Sequence, residues 1–257
     1  MLSKNKIKFI QSLNRKKIRE RENVFLVEGN KMVREAIHSE LHIDLLCGTA
    51  EFLESNHISG QSAREVIEVT SEELQKASLL QSPQKALAII QMPADPFSMS
   101  MLLNEFSLAL DFIQDPGNLG TIIRIADWFG IRHLLCSENT VDCYNPKVIQ
   151  SSMGSIFRVK VHYLNLKATL AEANKHEIPV SGTFLDGDNI FATSLPPYGI
   201  LVMGNEGNGI SPELDPIIRK KIQIPSFPLN QQGSESLNVA TATAICCAEF
   251  RRRVINS

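Results

Sequence analysis

Leu108 to Ile113 form an almost unbroken apolar run that ends in the turn Gln114-Asp-Pro-Gly-Asn118; Leu119 to Phe129 then reads as a helix stopped by Gly130. Apolar residues at both odd and even positions need cover on both faces. A strand finds that cover inside a parallel sheet flanked by helices. The same strand, turn and helix alternation continues to the end of the chain. Strands are expected at His133–Cys136, Phe157–Val161, Ile178–Thr183, Gly199–Met203 and Lys221–Ile224, and helices near Pro146–Ser152, Lys167–His176, Ser211–Lys220 and Asn238–Arg253. This pattern predicts an α/β fold with a mostly parallel sheet, whose ligands bind at the carboxyl ends of the strands.

A smaller α/β unit precedes it. Phe25–Val27, Ile43–Cys47, Val66–Val69 and Ala86–Ile90 read as strands, Lys31–His38 reads as a helix, and Thr70-Ser-Glu-Glu73 is a capping box that opens another. The polar, Met-rich stretch from Gln91 to Glu105, with Pro93 and Pro96, breaks the alternation. The expected division is a first domain over 1–95, a linker over 96–106 and a second domain over 107–257.

With 257 residues, 43% of them apolar, the chain is long enough for two cores. No apolar stretch reaches the length of a bilayer span and the N-terminus lacks a signal-peptide pattern, so a cytoplasmic location is expected. Five cysteines at irregular spacing (47, 136, 143, 246 and 247) form neither a disulfide framework nor a Cys-x-x-Cys metal pattern; reduced thiols and no metal are expected. The net charge of -2 argues against a nucleic-acid partner only until it is divided. Residues 1–22 hold eight bases and two acids, and the remainder carries a net -8. Arg15, Lys16, Lys17 and Arg19 are therefore candidate phosphate contacts.

Three stretches at expected strand ends carry chemistry. In the first, Asp115 to Gly130, Pro116 and Gly117 make the turn, Asn118 is a candidate helix cap and Arg124 stands in an otherwise mostly apolar helix, where its guanidinium needs a partner or an anionic substrate. The second, Gly204-Asn-Glu-Gly-Asn-Gly209, follows a strand. Its glycines let a ligand approach the backbone, and Glu206 supplies a carboxylate; its spacing is not the dinucleotide fingerprint and it has no Walker lysine, which disfavours a nucleotide-dependent oxidoreductase. In the third, a polar loop runs through Ser236-Leu-Asn-Val239 into a helix built of Ala and Thr and capped at Ser236 or Asn238.

In this order the three stretches resemble the motifs of the SpoU (TrmH-type) RNA 2′-O-ribose methyltransferases of the SPOUT superfamily, over about residues 107–254. Asn145 to Phe157 is similar to the segment that links those motifs, and Phe25-Leu-Val-Glu-Gly-Asn-Lys31 to the family's ribosomal-protein-like RNA-binding domain. The resemblance implies a deep trefoil knot. It also implies S-adenosylmethionine as cofactor, held by Thr183, Leu185, Gly204, Asn205, Gly207, Ile224 and Leu237, and a homodimer whose active site is completed across the interface.

Arg124 corresponds to the catalytic arginine, and Asn118, Glu206, Ser236 and Asn238 to the polar residues that orient it and the ribose. The implied substrate is ribosomal RNA, with transfer RNA as the nearest alternative and a noncatalytic RNA-binding or ribosome-assembly factor as the alternative of another class. Between Pro225 and Ser236 this chain has a longer loop than the family often shows, and Leu229 is left out of the expected cofactor contacts.

Overall fold

The computed structural model describes residues 2–227 and 236–255. In chain order its elements are α1 (Lys4–Ser12), α2 (Lys16–Glu22), β1 (Val24–Glu28), α3 (Asn30–Ile37), β2 (Ile43–Gly48), α4 (Ala50–Ser55), β3 (Glu65–Glu68), α5 (Ser71–Ala77), β4 (Ala86–Gln91), β5 (Phe106–Leu110), α6 (Pro116–Trp128), β6 (His133–Ser137), α7 (Pro146–Ser152), β7 (Lys160–Leu164), α8 (Leu166–Lys175), β8 (Val180–Asn189), β9 (Gly199–Met203), β10 (Lys220–Gln223) and α9 (Val239–Ile255). They divide into two compact units, residues 1–94 with 142–158, and residues 95–141 with 159 onward.

The first unit has a four-stranded sheet in the order β1-β4-β2-β3, with β4 antiparallel to both its neighbours and β3 parallel to β2. Helix α5 begins at the capping box read from the sequence: Thr70 Oγ1 accepts from the Glu73 amide at 3.2 Å, and Glu73 accepts from the Thr70 amide at 3.0 Å. The segment 142–158 belongs to this unit although it lies between β6 and β7 in the chain. Tyr144 stacks on Phe25 at 4.6 Å between centroids, and Gln150 Nε2 donates to the Glu28 carbonyl at 2.9 Å.

Arg19 completes the attachment. Its guanidinium is buried, donates to the Leu13 and Asn14 carbonyls at 2.7 and 2.9 Å and pairs with Asp142. A buried cation stripped of its anion is far costlier than either an intact pair or an apolar replacement. Asp142→Asn is therefore expected to cost about 3 kcal/mol. Urea unfolding followed by circular dichroism measures this; a midpoint equal to that of the unmodified protein would show that the pair contributes nothing.

The second unit is built on six parallel strands in the order β10-β8-β9-β5-β6-β7. Every residue of β5 and β9 is buried, as the unbroken apolar runs require. The chain leaves β5 toward β6 and β7 on one side and returns to form β9 and β8 on the other. The order therefore reverses between β5 and β9, and the loops after those two strands open outward from one point.

Several expectations change. Residues 96–106 are not a bare linker: Leu102 is fully buried in the core of the second unit, with Phe97 and Met99 packed against it. Ser211–Lys220 is not a helix but a set of turns around a short 3-10 segment at Asp215–Ile217, because Pro216 removes a helical donor and crowds the preceding turn. Phe157 closes another 3-10 turn, so β7 starts at Lys160. Strand β8 runs on to Asn189, and a short helix at Ala50–Ser55, capped by Thr49, was not anticipated. Among the described residues no helix is long and apolar enough to cross a membrane.

Candidate active site

Helix α6 starts where the chain turns out of β5. Asp115, not Asn118, is its cap: the Asp115 carboxylate accepts from the Asn118 amide at 2.8 Å and Pro116 occupies the first turn. This arrangement frees the Asn118 carboxamide, which donates to Glu206 Oε1 at 2.9 Å and accepts from Asn238 Nδ2 at 2.9 Å. Asn238 Nδ2 also donates to Glu206 Oε1 at 2.6 Å, and the Val239 amide donates to the same oxygen at 3.1 Å.

Asn238 caps α9 as well, its Oδ1 accepting from the Ala240 and Thr241 amides at 3.1 and 3.2 Å. One carboxylate oxygen thus gathers donors from both other sequence stretches. Ile113, Gln114, Asp115, Asn118, Asn205, Glu206, Gly207 and Val239 line an open cleft of about 240 Å³ beside it.

Two features hold the loops in place. Gly204 has no room for a side chain, since a Cβ there would lie 2.3 Å from the Gly209 carbonyl carbon. Phe112, just past β5, has φ 59°, a left-handed conformation that costs a bulky residue roughly 1–3 kcal/mol. Its neighbours over-determine it: the Phe112 amide donates to Ser137 Oγ at 2.9 Å, the Ile113 amide to Thr140 Oγ1 at 3.3 Å, and the Phe112 carbonyl accepts from Asn205 Nδ2 at 2.9 Å. Asp111, one residue earlier, accepts from the Ser211 amide at 2.7 Å.

Arg124 is exposed on α6 and has no hydrogen-bond or ion-pair partner among the described residues. With Thr121 and Trp128 it lies on one exposed face at helical spacing, and the Trp128 ring is 85% exposed. Ser236 is exposed, two residues before Asn238; residues 228–235 of the long loop, Leu229 included, lie outside the described residues.

The residues expected to hold a cofactor lie in β8 (Thr183 and Leu185), after β9 (Gly204, Asn205 and Gly207), after β10 (Ile224) and before α9 (Leu237). Thr183 Oγ1 donates to the Val202 carbonyl at 3.4 Å, just before Gly204. The pairing of β8 with β10 jumps from Gly182 opposite Lys221 to Asp188 opposite Ile222, which frees residues 183–187 from the ladder. Leu185, within that stretch, is 76% exposed, and its carbonyl accepts from Gln223, next to Ile224. Leu237 is 47% exposed beside Asn238.

Asn205 differs from the rest. Its amide and carbonyl pair with Gly209, its Oδ1 accepts from the Gly207 and Asn208 amides at 2.9 and 3.1 Å, and its Nδ2 holds Phe112. Its polar groups are spent inside the protein.

On the first unit Arg15, Lys16 and Lys17 are exposed. Arg19 is not available to phosphate: it is 1% exposed and paired with Asp142, so its expected role in RNA binding is replaced by a structural one. Among the described residues no three His, Cys, Asp or Glu side chains come together in a metal-binding arrangement.

Sequence reading missed Asp115 as the cap, although Asp immediately before Pro at a helix start is a recognisable signal. It also missed the side-chain role of Asn205, for which no local signal exists because Phe112 is 93 residues away.

Comparison with known proteins finds matches along most of the chain. The model of the SpoU rRNA Methylase family matches residues 105–248, and that of the MRM3-like substrate binding domain matches residues 4–88. The chain is 30% identical over 249 residues to the 23S rRNA (guanosine(2553)-2′-O)-methyltransferase RlmP of Bacillus subtilis (strain 168), covering 96% of each. Among solved structures it is similar to a TrmH-family protein from Porphyromonas gingivalis, at 42% identity and a TM-score of 0.89 over 98% of this chain and 99% of that one. It is also similar to the AdoMet-bound rRNA methyltransferase from Sinorhizobium meliloti, at 27% identity and a TM-score of 0.83 over 99% and 97%.

Proposed function

Because this chain belongs to the SpoU rRNA methylase family, we propose that it transfers a methyl group from S-adenosylmethionine to a ribose 2′-hydroxyl of ribosomal RNA. The observation that carries the reading is the meeting of Asn118, Glu206 and Asn238 at the point where the strand order reverses, with Arg124, which has no partner among the described residues, on the helix that starts there.

The loops fit the cofactor. Gly204 lets the 204–209 loop fold tightly on itself at the strand end, and the exposed side chains of Leu185 and Leu237 offer apolar surface to an adenosine. Thr183, Gly207 and Ile224 complete that bed; Asn205 shapes it. When bound, S-adenosylmethionine would supply a sulfonium methyl carbon for the 2′-oxygen, with the thioether S-adenosylhomocysteine as leaving group and the hydroxyl proton passing to water.

The chain's own residues position and neutralise. A guanidinium offers donors and no acceptor and is a poor base, so Arg124 binds the adjacent phosphate and stabilises the negative charge developing on the 2′-oxygen. Asn118, Glu206, Ser236 and Asn238 orient the ribose and the arginine.

The remaining parts of the reading follow the family. Residues 1–95 recognise RNA, with Arg15, Lys16 and Lys17 as phosphate contacts, and residues 107–257 form the catalytic part with its trefoil knot. The enzyme works in the cytoplasm as a homodimer. The exposed Trp128 beside Arg124 supports self-association, since a large aromatic left in water is the kind of residue that anchors an interface.

The test is incubation of the purified protein with labelled S-adenosylmethionine and either unmodified ribosomal RNA or transfer RNA. Label in ribose of ribosomal RNA is expected. Label in transfer RNA alone would move the substrate, and no transfer together with no cofactor binding would overturn the enzymatic reading in favour of an RNA-binding factor.

A further inference from the structure

We propose that the Asn205 carboxamide is a positioning residue for methyl transfer, acting as a strut that holds Phe112 in its left-handed conformation and so sets where α6 begins. The inference rests on the methyltransferase reading above. One side chain ties together the loops that carry the two halves of the site. Its Oδ1 accepts from the Gly207 and Asn208 amides, which curl the backbone around Glu206, and its Nδ2 donates to the Phe112 carbonyl, three residues before the Asp115 cap.

A phenylalanine at φ 59° relaxes to an ordinary conformation unless its neighbours prevent it. Asn205 supplies the bond that reaches Phe112 from the Glu206 loop; the bonds from Ser137 to Phe112 and from Thr140 to Ile113 come from the end of β6 and the turn after it. Without it the turn out of β5 shifts, and Asn118 and Arg124 shift with the helix relative to Glu206. A displacement of about 1 Å at such a distance from the reacting atoms lowers turnover by about 10²-fold.

Asn205→Asp tests this, because it keeps the oxygen that accepts from Gly207 and Asn208 and replaces the donor to Phe112 by an oxygen that repels the Phe112 carbonyl. It is expected to lower kcat by about 10²-fold while the affinity for S-adenosylmethionine stays within about threefold. Phe112→Gly tests the mechanism, since glycine adopts the left-handed conformation without a tether. Measured against Phe112→Gly alone, adding Asn205→Asp is expected to lower kcat by less than about fivefold, a non-additivity that a residue touching the cofactor directly would not show.

Equal losses in both backgrounds, unchanged kcat, or a matching loss of cofactor affinity would overturn the proposal. Amide hydrogen exchange reads the strut independently of activity: the Phe112 and Ile113 amides are expected to exchange faster in Asn205→Asp, and unchanged protection defeats the strut even if no RNA is methylated. If Asn205→Asp fails to fold, restored folding in the double variant supports the same coupling, and its failure to restore folding overturns it.

Discussion

Replacing Arg124 by alanine is expected to lower turnover by about 10²-fold or more, with little change in thermal stability. Removal of one preorganised charge-stabilising donor costs about that much in enzymes that stabilise a developing oxyanion. The guanidinium is exposed and without a partner among the described residues, so its loss leaves no buried group unsatisfied. Arg124→Lys keeps the charge but loses the planar fork, and should recover only part of the rate. Steady-state methylation of ribosomal RNA, with melting curves recorded alongside, separates the two effects. Near-normal turnover in Arg124→Ala would remove the arginine from the mechanism.

Glu206→Ala should be comparably severe, for a different reason. Its Oε1 accepts from Asn118, Asn238 and the Val239 amide, so its removal leaves three donors with no common acceptor and lets the starts of α6 and α9 move independently. A loss of about 10²-fold in kcat is expected from lost positioning. Glu206→Gln keeps a carbonyl oxygen at that place and should lose only about tenfold, because a neutral acceptor bonds less strongly than a charged one. Equal losses in the two variants would mean that the charge of Glu206 matters and its bonding geometry does not. Because the carboxylate is solvent-exposed, water replaces it for the freed donors and the unfolding midpoint should move little.

These residues were legible at different levels. The parallel sheet followed from local pattern: β5 and β9 are buried throughout and almost wholly apolar because both their faces are covered, and the turn residues after β5 mark where a helix starts. Asn118, Arg124, Glu206 and Asn238 could be named because the short stretches that hold them, taken in order, resemble the motifs of the SpoU family. Misreadings arose where local propensity met a constraint it does not register. Pro216 broke the helix expected over Ser211–Lys220. The Met-rich stretch read as a linker buries Leu102 in the core. Arg19, counted with the basic lead-in, is consumed by Asp142, which is 123 residues away. No window of sequence contains both partners of such a pair, so a charge count assigns the arginine to solvent by default.

By itself, then, the sequence determined the fold class, the two sheets and the residue types brought to the strand ends, since hydrophobic period and turn chemistry are properties of neighbouring residues. Only the tertiary structure decided which of those residues meet. The bonds that join Glu206 to Asn118 and Asn238, Asn205 to Phe112, and Arg19 to Asp142 each span between 32 and 123 residues. They exist because the fold places distant segments side by side, where donors meet acceptors, a buried cation needs an anion and a strained backbone needs a tether.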